Sequence, residues 1–443
     1  MPDVMELGTW QSRFDELAVR HAVPGASVAV LAGGEVQALA TGVLNARTAV
    51  AATPDSLFLI GSISKPYTAT LVMGLVGEGA VALDTPVADI LPELRLADRE
   101  VASRVTLRHL LSHTSGIDGD LFLDTGRGDD CFERYVAACA DLTQCHPLGA
   151  AFSYCNAGYV ILGRVIECLT GKVWDTALRE RLLDPAGLHH TWTLPEDALR
   201  FRAALGHFDR GGRTSPAPVW GLPRNHGPAG GICASAADVA AFAKLHLEAA
   251  TPELAEMRRS QATVPNVYSP RDRWGLGWGL ADWGGRPVFG HGGETVGQSA
   301  VLDVVPGNDF AIALAANTER FAAFRRDVYA ELLPEFCDVT EPLPLAPQPV
   351  PLPPEDGRYL GVFERLGSHV EISREGGRME IAVTPTGWIA QFEQARRSEL
   401  IHVGEGRFLE RGERNWWAPA VFATLPDGTD LLYLGLRAHR RVG

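Results

Sequence analysis

The sequence is short of positive charge. It carries 40 lysines and arginines against 54 aspartates and glutamates in 443 residues, a formal net charge of −14 with a pI near 5.4. An acidic surface repels phosphate backbones and anionic lipid, so nucleic acid and membrane surfaces are excluded as expected partners. No apolar run reaches the roughly 18 residues that span a bilayer. The N-terminal stretch MPDVMELGTWQSRFDELAVRHAVPG has no basic start, no apolar h-region and no small-residue cleavage site. No signal peptide is therefore expected, and the location expected is cytoplasmic. The seven cysteines, at 131, 139, 145, 155, 168, 233 and 337, form no CxxC pair and read as reduced thiols. His109 and His113 have i, i+4 spacing, but HLLSH lacks the glutamate of a zinc protease and reads as helix packing. Gly290-His291-Gly292-Gly293 does not satisfy GxGxxG, which removes a dinucleotide reading. Neither metal nor cofactor is expected.

What is present divides into two units. Residues 342–354, PLPLAPQPVPLPP, alternate proline with apolar residues and favour an extended, semi-rigid spacer. They separate an N-terminal unit, 1–341, from a C-terminal unit, 355–443. The first opens with a helix near 5–22 and a hairpin, ASVAVLA and EVQALATGV, turning at Gly33-Gly34. Helical patterns follow near 64–78, 106–113, 157–170, 174–183 and 236–248. Strands then return in PVFGHGG, SAVLDVV and FAIALAAN, and a helix near 321–333 closes the unit. Strands at both ends with helices between predict an α+β unit, one mixed sheet covered by a helical region. The C-terminal unit reads as eight short runs: RYLGVF, HVEISRE, RMEIAV, GWIAQF, SELIHV, GRFLE, WAPAVFAT and LLYLGLRA. Turn residues punctuate them, which predicts an antiparallel meander closed into a small barrel.

Three segments carry the residues of a nucleophilic centre. In Gly61-Ser62-Ile63-Ser64-Lys65, Ser62 stands where a helix begins and Lys65 lies one turn on, on the same face. Serine needs a base, and a lysine serves only if burial and neighbours lower its pKa. The N–H groups at the helix start suit a developing oxyanion. Ser64 adjoins Lys65, so the two side chains do not face each other. In Tyr154-Cys155-Asn156, a phenol can move protons and an amide can hold the lysine or a substrate carbonyl. In His291-Gly292-Gly293-Glu294, glycines let a substrate lie against the strand edge. The N–H of Glu294 can pair with that of Ser62 in an oxyanion hole, and His291 can orient Tyr154 or contact a substrate carboxylate. Gly230-Gly231 lets the chain pass close to the pocket. Trp220, Trp274 and Trp278 are candidates for its wall. Cys155 reads as a small packed side chain.

The order and spacing SxxK, YxN and HxG resemble the penicillin-binding-protein and class C β-lactamase superfamily, over roughly residues 8–335. TLRHLLSHTSGI, FSYCNAGYVILG and GPAGGICASAADVAAFAKL fit as well. The resemblance implies a β-lactamase/transpeptidase-like α/β sandwich, acylation of Ser62, Lys65 as base, Tyr154 as proton shuttle and Asn156 as substrate anchor. His291-Gly292-Gly293 replaces the usual Lys-Thr-Gly and looks like the esterase, D-amino-acid peptidase and thioesterase branches. The layout with a proline linker and a small barrel resembles the penicillin-binding-protein-type thioesterases, stand-alone cyclases of nonribosomal peptides whose C-terminal domain is lipocalin-like. That implies a peptidyl thioester on a carrier protein as donor, with a C-terminal D-residue. It also implies a substrate-recognising arginine in the barrel, for which Arg437 is the best match and Arg440 and Arg441 are neighbours. A hydrolase of the same superfamily (esterase, D-aminopeptidase or D,D-carboxypeptidase) and a non-enzymatic acylated sensor are the alternatives.

Overall fold

The computed structural model describes residues 6–248, 251–265, 271–343, 347–352, 356–391, 393–411 and 417–443. The N-terminal unit is built on an eight-stranded sheet. Its strands are β1 (Gly25–Ala32), β2 (Glu35–Gly42), β3 (Ala262–Thr263), β4 (Arg273–Trp274), β5 (Gly279–Trp283), β6 (Arg286–Thr295), β7 (Gln298–Val305) and β8 (Phe310–Ala316). They run in the spatial order β2-β1-β8-β7-β6-β5-β4-β3, and every neighbouring pair is antiparallel. The hairpin predicted at Gly33-Gly34 is present, with φ of 60° and 82° at the two glycines, the left-handed pair that a two-residue turn of matching twist requires.

Alternation along these strands builds a core on each face of the sheet. Val28, Val30, Ile312 and Leu314 point to one side, where α1 (Gln11–Arg20) and the closing helix α5 (Phe321–Cys337) bring Phe14, Leu17, Phe324, Val328 and Leu332. Ala29, Leu31, Phe289, Ala311 and Ala313 point to the other, toward the helical region. At its centre lies α2 (Ser64–Gly77), buried on every side because nearly all of its residues are apolar or small. Tyr67 of α2 stacks on Phe242 of α4 (Ala236–Glu248), with ring centroids 3.8 Å apart. The helix α3 (Asn156–Thr170) starts two residues after Tyr154, with Cys155 as its N-cap, and ends at Gly171, whose φ of 66° closes the helix in the left-handed region. The helix expected to stop at 333 runs through Pro334 to Cys337.

The C-terminal unit is a closed barrel of eight antiparallel strands, each paired with the next and the last with the first. These are β9 (Gly361–Arg365), β10 (Ser368–Glu375), β11 (Arg378–Pro385), β12 (Arg396–Gly404), β13 (Arg407–Arg411), β14 (Trp417–Thr424), β15 (Asp430–Leu434) and β16 (Arg437–Arg441). Phe363, Val370, Ile372, Ile381, Phe408 and Leu432 fill it. This is the lipocalin-like, up-and-down arrangement. Two of the eight predicted runs differ. GWIAQF is a turn and a short 3-10 helix over Ile389–Gln391, because Trp388 leaves the barrel to stack on Phe122 at 4.4 Å. Its last residue, 392, lies outside the described residues. LLYLGLRA is two strands, because Gly435 at φ 61° turns the chain at Gly435-Leu436. In the proline-rich segment, the N–H of Val350 donates to the carbonyl of His402 at 2.9 Å, while 344–346 and 353–355 lie outside the described residues.

The last hairpin of the barrel grips the YxN segment: Tyr154 N donates to Leu436 O (2.9 Å) and Ala438 N to Ser153 Oγ (3.1 Å). Among the described residues no helix is long and apolar enough to cross a membrane.

Phe14 is wholly buried between Trp10 and Phe324 on the sheet face away from Ser62. Phe14→Ala is expected to cost about 3–5 kcal/mol of stability, read from the urea midpoint, while the folded fraction keeps its acylation rate. A loss under about 1 kcal/mol would show that this layer does not anchor the fold.

Candidate active site

Ser62 sits in a single 3-10 turn, Gly61–Ile63, that feeds directly into α2. The turn lies hard against β6. A Cβ on Gly293 would stand 1.8 Å from Ile60 O, and one on Gly61 2.7 Å from Glu294 N. Gly61 also has φ of 53°. Glycine at 61 and 293 is what lets the Ser62 and Glu294 backbones meet at one point. Gly292 faces open space and floors the cleft. Ser64 has its hydroxyl spent elsewhere: it donates to Gly61 O at 2.7 Å and accepts from Ile232 N at 3.0 Å. Of the two serines, only Ser62 faces Lys65.

Lys65 is completely buried. Its Nζ lies 3.2 Å from Ser62 Oγ and donates to Asn156 Oδ1 (2.8 Å) and Ala229 O (2.6 Å). Burial holds its ammonium well below the usual lysine value, with Arg437 pushing the same way and Asp120 and Cys155 opposing. A neutral amine has two hydrogens and one lone pair. Two of its three neighbours can only accept, so the lone pair is left for the Ser62 hydroxyl proton. The amide of Asn156 is fixed the right way round because its Nδ2 donates to Asp120 Oδ1 at 2.8 Å.

Tyr154 covers this pair. Lys65 Nζ lies 4.7 Å from the centre of its ring. Burial pushes its phenol up, against a hydrogen bond with Ser62. Its hydroxyl is also 3.5 Å from His291 Nε2. The other ring nitrogen of His291, Nδ1, is 2.5 Å from Gly292 O and carries the hydrogen. Burial, then Lys65, hold His291 well below 6.5, so it is neutral and offers Nε2 as an acceptor. Of the three tryptophans, Trp274 stands edge-on to both Tyr154 and His291, whereas Trp278 is in the core with Phe242 and Phe289, and Trp220 donates to Ala204 O away from the site.

A cleft of about 770 Å³ opens over Ser62, lined among others by Gly230, Glu294, Trp388 and Arg437. Arg440 and Arg441 do not reach it. Of the three arginines only Arg437 lines the cleft among the described residues, and its Nε donates to Asp120 Oδ2 at 2.5 Å. Its Nη1 has no hydrogen-bond partner among the described residues. Asp120 and Arg365, which meet at 2.8 Å, were not singled out by the sequence. Their only local sign is the acidic Asp118-Gly-Asp120 after the SHTSG turn. His113 does more than pack its helix: its ring lies 4.2 Å from that of Tyr154, and its Nδ1 accepts from Cys155 N at 3.0 Å. His109 caps its own helix through Thr106. Cys155 is buried, and its Sγ accepts from Gly158 N at the start of α3.

The Beta-lactamase family matches residues 10–333, most of the chain. The chain belongs to that family. It is 48% identical over 371 residues to "Penicillin-binding protein 4" of Amycolatopsis lactamdurans, spanning 81% of this chain and 97% of that one. It is 31% identical over 283 residues to a D-aminopeptidase of Brucella anthropi, an alignment covering 62% of this chain and 52% of that protein. Among solved structures, SurE superposes over 99% of both chains with a TM-score of 0.81 and 29% identity, barrel included. Members of this superfamily are serine hydrolases and acyltransferases, and the geometry around Ser62 fits that chemistry.

Ser62→Ala is expected to abolish covalent labelling by an activated acyl donor. Ser64→Ala is expected to keep labelling and to lose about 1–3 kcal/mol of stability, since the buried Ile232 N–H is orphaned. Mass spectrometry of the labelled variants decides; the reverse pattern would move the nucleophile to Ser64. Gly293→Ala, which drives a methyl into the Ile60 carbonyl, is expected to slow labelling by at least about 100-fold, a loss on the scale of one oxyanion donor. Gly292→Ala should label normally.

Proposed function

We propose that this protein is a trans-acting thioesterase that releases a peptide from a carrier protein and closes it head to tail. Ser62 Oγ attacks the thioester carbonyl as its proton passes to Lys65 Nζ. The backbone N–H groups of Ser62 and Glu294 hold the oxyanion. Collapse expels the thiolate, which takes a proton relayed through Tyr154, and leaves the peptidyl ester on Ser62. The N-terminal amine of the same peptide then attacks the ester. It gives up a proton to the Tyr154–Lys65 pair, and Ser62 leaves with that proton as the cyclic amide forms. Neutral His291 keeps the Tyr154 hydroxyl aimed at this exchange.

The observation that carries the reading is the second wall of the cleft. Trp388, Leu436 and Arg437 come from the barrel and stand over Ser62. A cyclase must favour an amine over water at about 55 M, and a shaped pocket that holds the folded peptide supplies the required effective molarity. An acyl-enzyme roofed by a second unit is also shielded from water. Arg437 keeps Nη1 for a carbonyl of the peptide attached to Ser62. The neutral His291 of HxG puts no cation where Lys-Thr-Gly enzymes carry one, which weighs against β-lactams as the main substrate. SurE, similar along the whole chain, has also been solved with D-Leu, which supports a D-configured residue at the acylating end.

A hydrolytic reading is favoured by one observation, the D-aminopeptidase relatives. A linear peptidyl thioester mimic with a C-terminal D-residue separates the two. Mass spectrometry is expected to show a product lighter than the linear acid by one water, and the C-terminal L-diastereomer is expected to react poorly. Linear acid alone would contradict cyclisation and leave the hydrolase.

A further inference from the structure

One buried carboxylate takes no part in the steps above. Asp120 sits in the helical region, and its side chain is 3% exposed. Its Oδ1 accepts from Asn156 Nδ2 at 2.8 Å. Its Oδ2 accepts from Arg365 Nη1 at 2.8 Å and from Arg437 Nε at 2.5 Å. Both arginines belong to the barrel: Arg365 ends β9 and Arg437 begins β16. A hydrogen-bonded chain therefore runs from the barrel through Asp120 and Asn156 to Lys65 and Ser62.

We propose that Asp120, Arg365 and Arg437 are positioning residues for acylation, through which the docked barrel sets the orientation and protonation of Lys65. The proposal rests on the reading of Ser62 as nucleophile and Lys65 as its base.

Two physical consequences follow from the chain. The first is orientation. An asparagine amide can sit either way round, and an acceptor-only group behind Nδ2 obliges Oδ1 to face Lys65. The Asp120 carboxylate is that group. Isolated in a protein interior it would be strongly destabilising, and the two arginines offset that cost. The second is charge. One carboxylate and two guanidinium groups leave a net positive charge beside Lys65, which disfavours its ammonium. Arg437 also lies over the ring of Tyr154, 5.2 Å from its centre.

The other groups around Lys65 do not supply this charge. Tyr154 and Tyr159 present rings, at 4.7 and 5.5 Å, and burial keeps both phenols protonated. His113, His226 and His291 are held below 6.5 by burial and are neutral, and Cys155 is a buried thiol pushed up to about 12. Glu294 on β6 and Asp118 beside the barrel turn are the remaining acids. Asp118 is raised to about 6 by burial, and its Oδ2 accepts from Leu366 N at 2.6 Å. Burial sets the low value at Lys65, and among the charged groups Arg437 and Asp120 weigh most.

The test is the pH dependence of Ser62 labelling by a small fluorophosphonate, which makes no demand on peptide recognition. The acid limb of that profile reports loss of the Lys65 proton. Arg437→Gln is expected to move the limb up by about 0.5–1 pH unit, and Arg365→Gln to move it the same way by less. Asp120→Asn is expected to move it down and to lower the plateau at least about tenfold, as the Asn156 amide loses its anchor. Arg437→Lys keeps the charge and should leave the limb near wild type. If Asp120→Asn does not fold, the double variant Arg437→Gln/Asp120→Asn carries the same test: its limb should fall between those of Arg437→Gln and the wild type. Acid limbs unchanged in the folded arginine variants, or shifted the same way by opposite charge changes, would overturn the proposal. Labelling of Ser62→Ala at the wild-type rate would instead sink the underlying reading, so the two failures are distinguishable.

Discussion

The structure depends on a lysine that has been taken out of water. Lys65 is fully enclosed, and its amine meets two groups that can only accept and one hydroxyl that can give up a proton. An ammonium in that position would find acceptors in all three, Ser62 Oγ included, but would keep its charge in a low-dielectric interior, and that burial is what disfavours it. A neutral amine satisfies the same three neighbours with two hydrogens and a lone pair. The chemistry follows from that choice, because the lone pair points at Ser62.

Much of the fold can be seen as support for this one placement. The apolar helix α2 brings Lys65 to the centre of the N-terminal unit. The wide turn at Gly227–Gly231 offers Ala229 O to it. β6 presses on the Ser62 turn so closely that neither Gly61 nor Gly293 has room for a side chain. His113 and Trp274 pack Tyr154 from behind and beside, and the barrel hairpin holds its backbone. The barrel is thus a lid over the cleft and also a structural neighbour of the catalytic loop. The likeness to SurE likewise extends over the whole chain, barrel included.

The sequence made local features legible and long-range ones not. Ser62, Lys65, Tyr154, Asn156 and His291 stand in short motifs whose spacing implies a shared site, and the structure brings all five together. The hairpin at Gly33-Gly34 and most barrel strands follow from alternation and turn residues. Asp120 has no such signature: its partners Arg365 and Arg437 lie 245 and 317 residues away, and an aspartate in a Gly-Asp pair looks like any loop residue. The two misread barrel runs have the same cause. Trp388 is recruited by Phe122, and Leu436 by Tyr154, and neither contact is encoded within the run itself. Trp220, Trp274 and Trp278 were equivalent candidates because burial alone does not say which ring faces the site.

The protonation state of Lys65 can be measured directly, because the chain contains three lysines, Lys65, Lys172 and Lys244. Labelling lysine with 13C at Cε gives three resonances to follow through a pH titration, with Lys65→Ala assigning one of them. Lys172 and Lys244 both reach solvent. The account predicts that the Lys65 signal has the shift of a free amine at neutral pH and titrates well below the usual lysine value. A Lys65 resonance that stays protonated at neutral pH and above would contradict it.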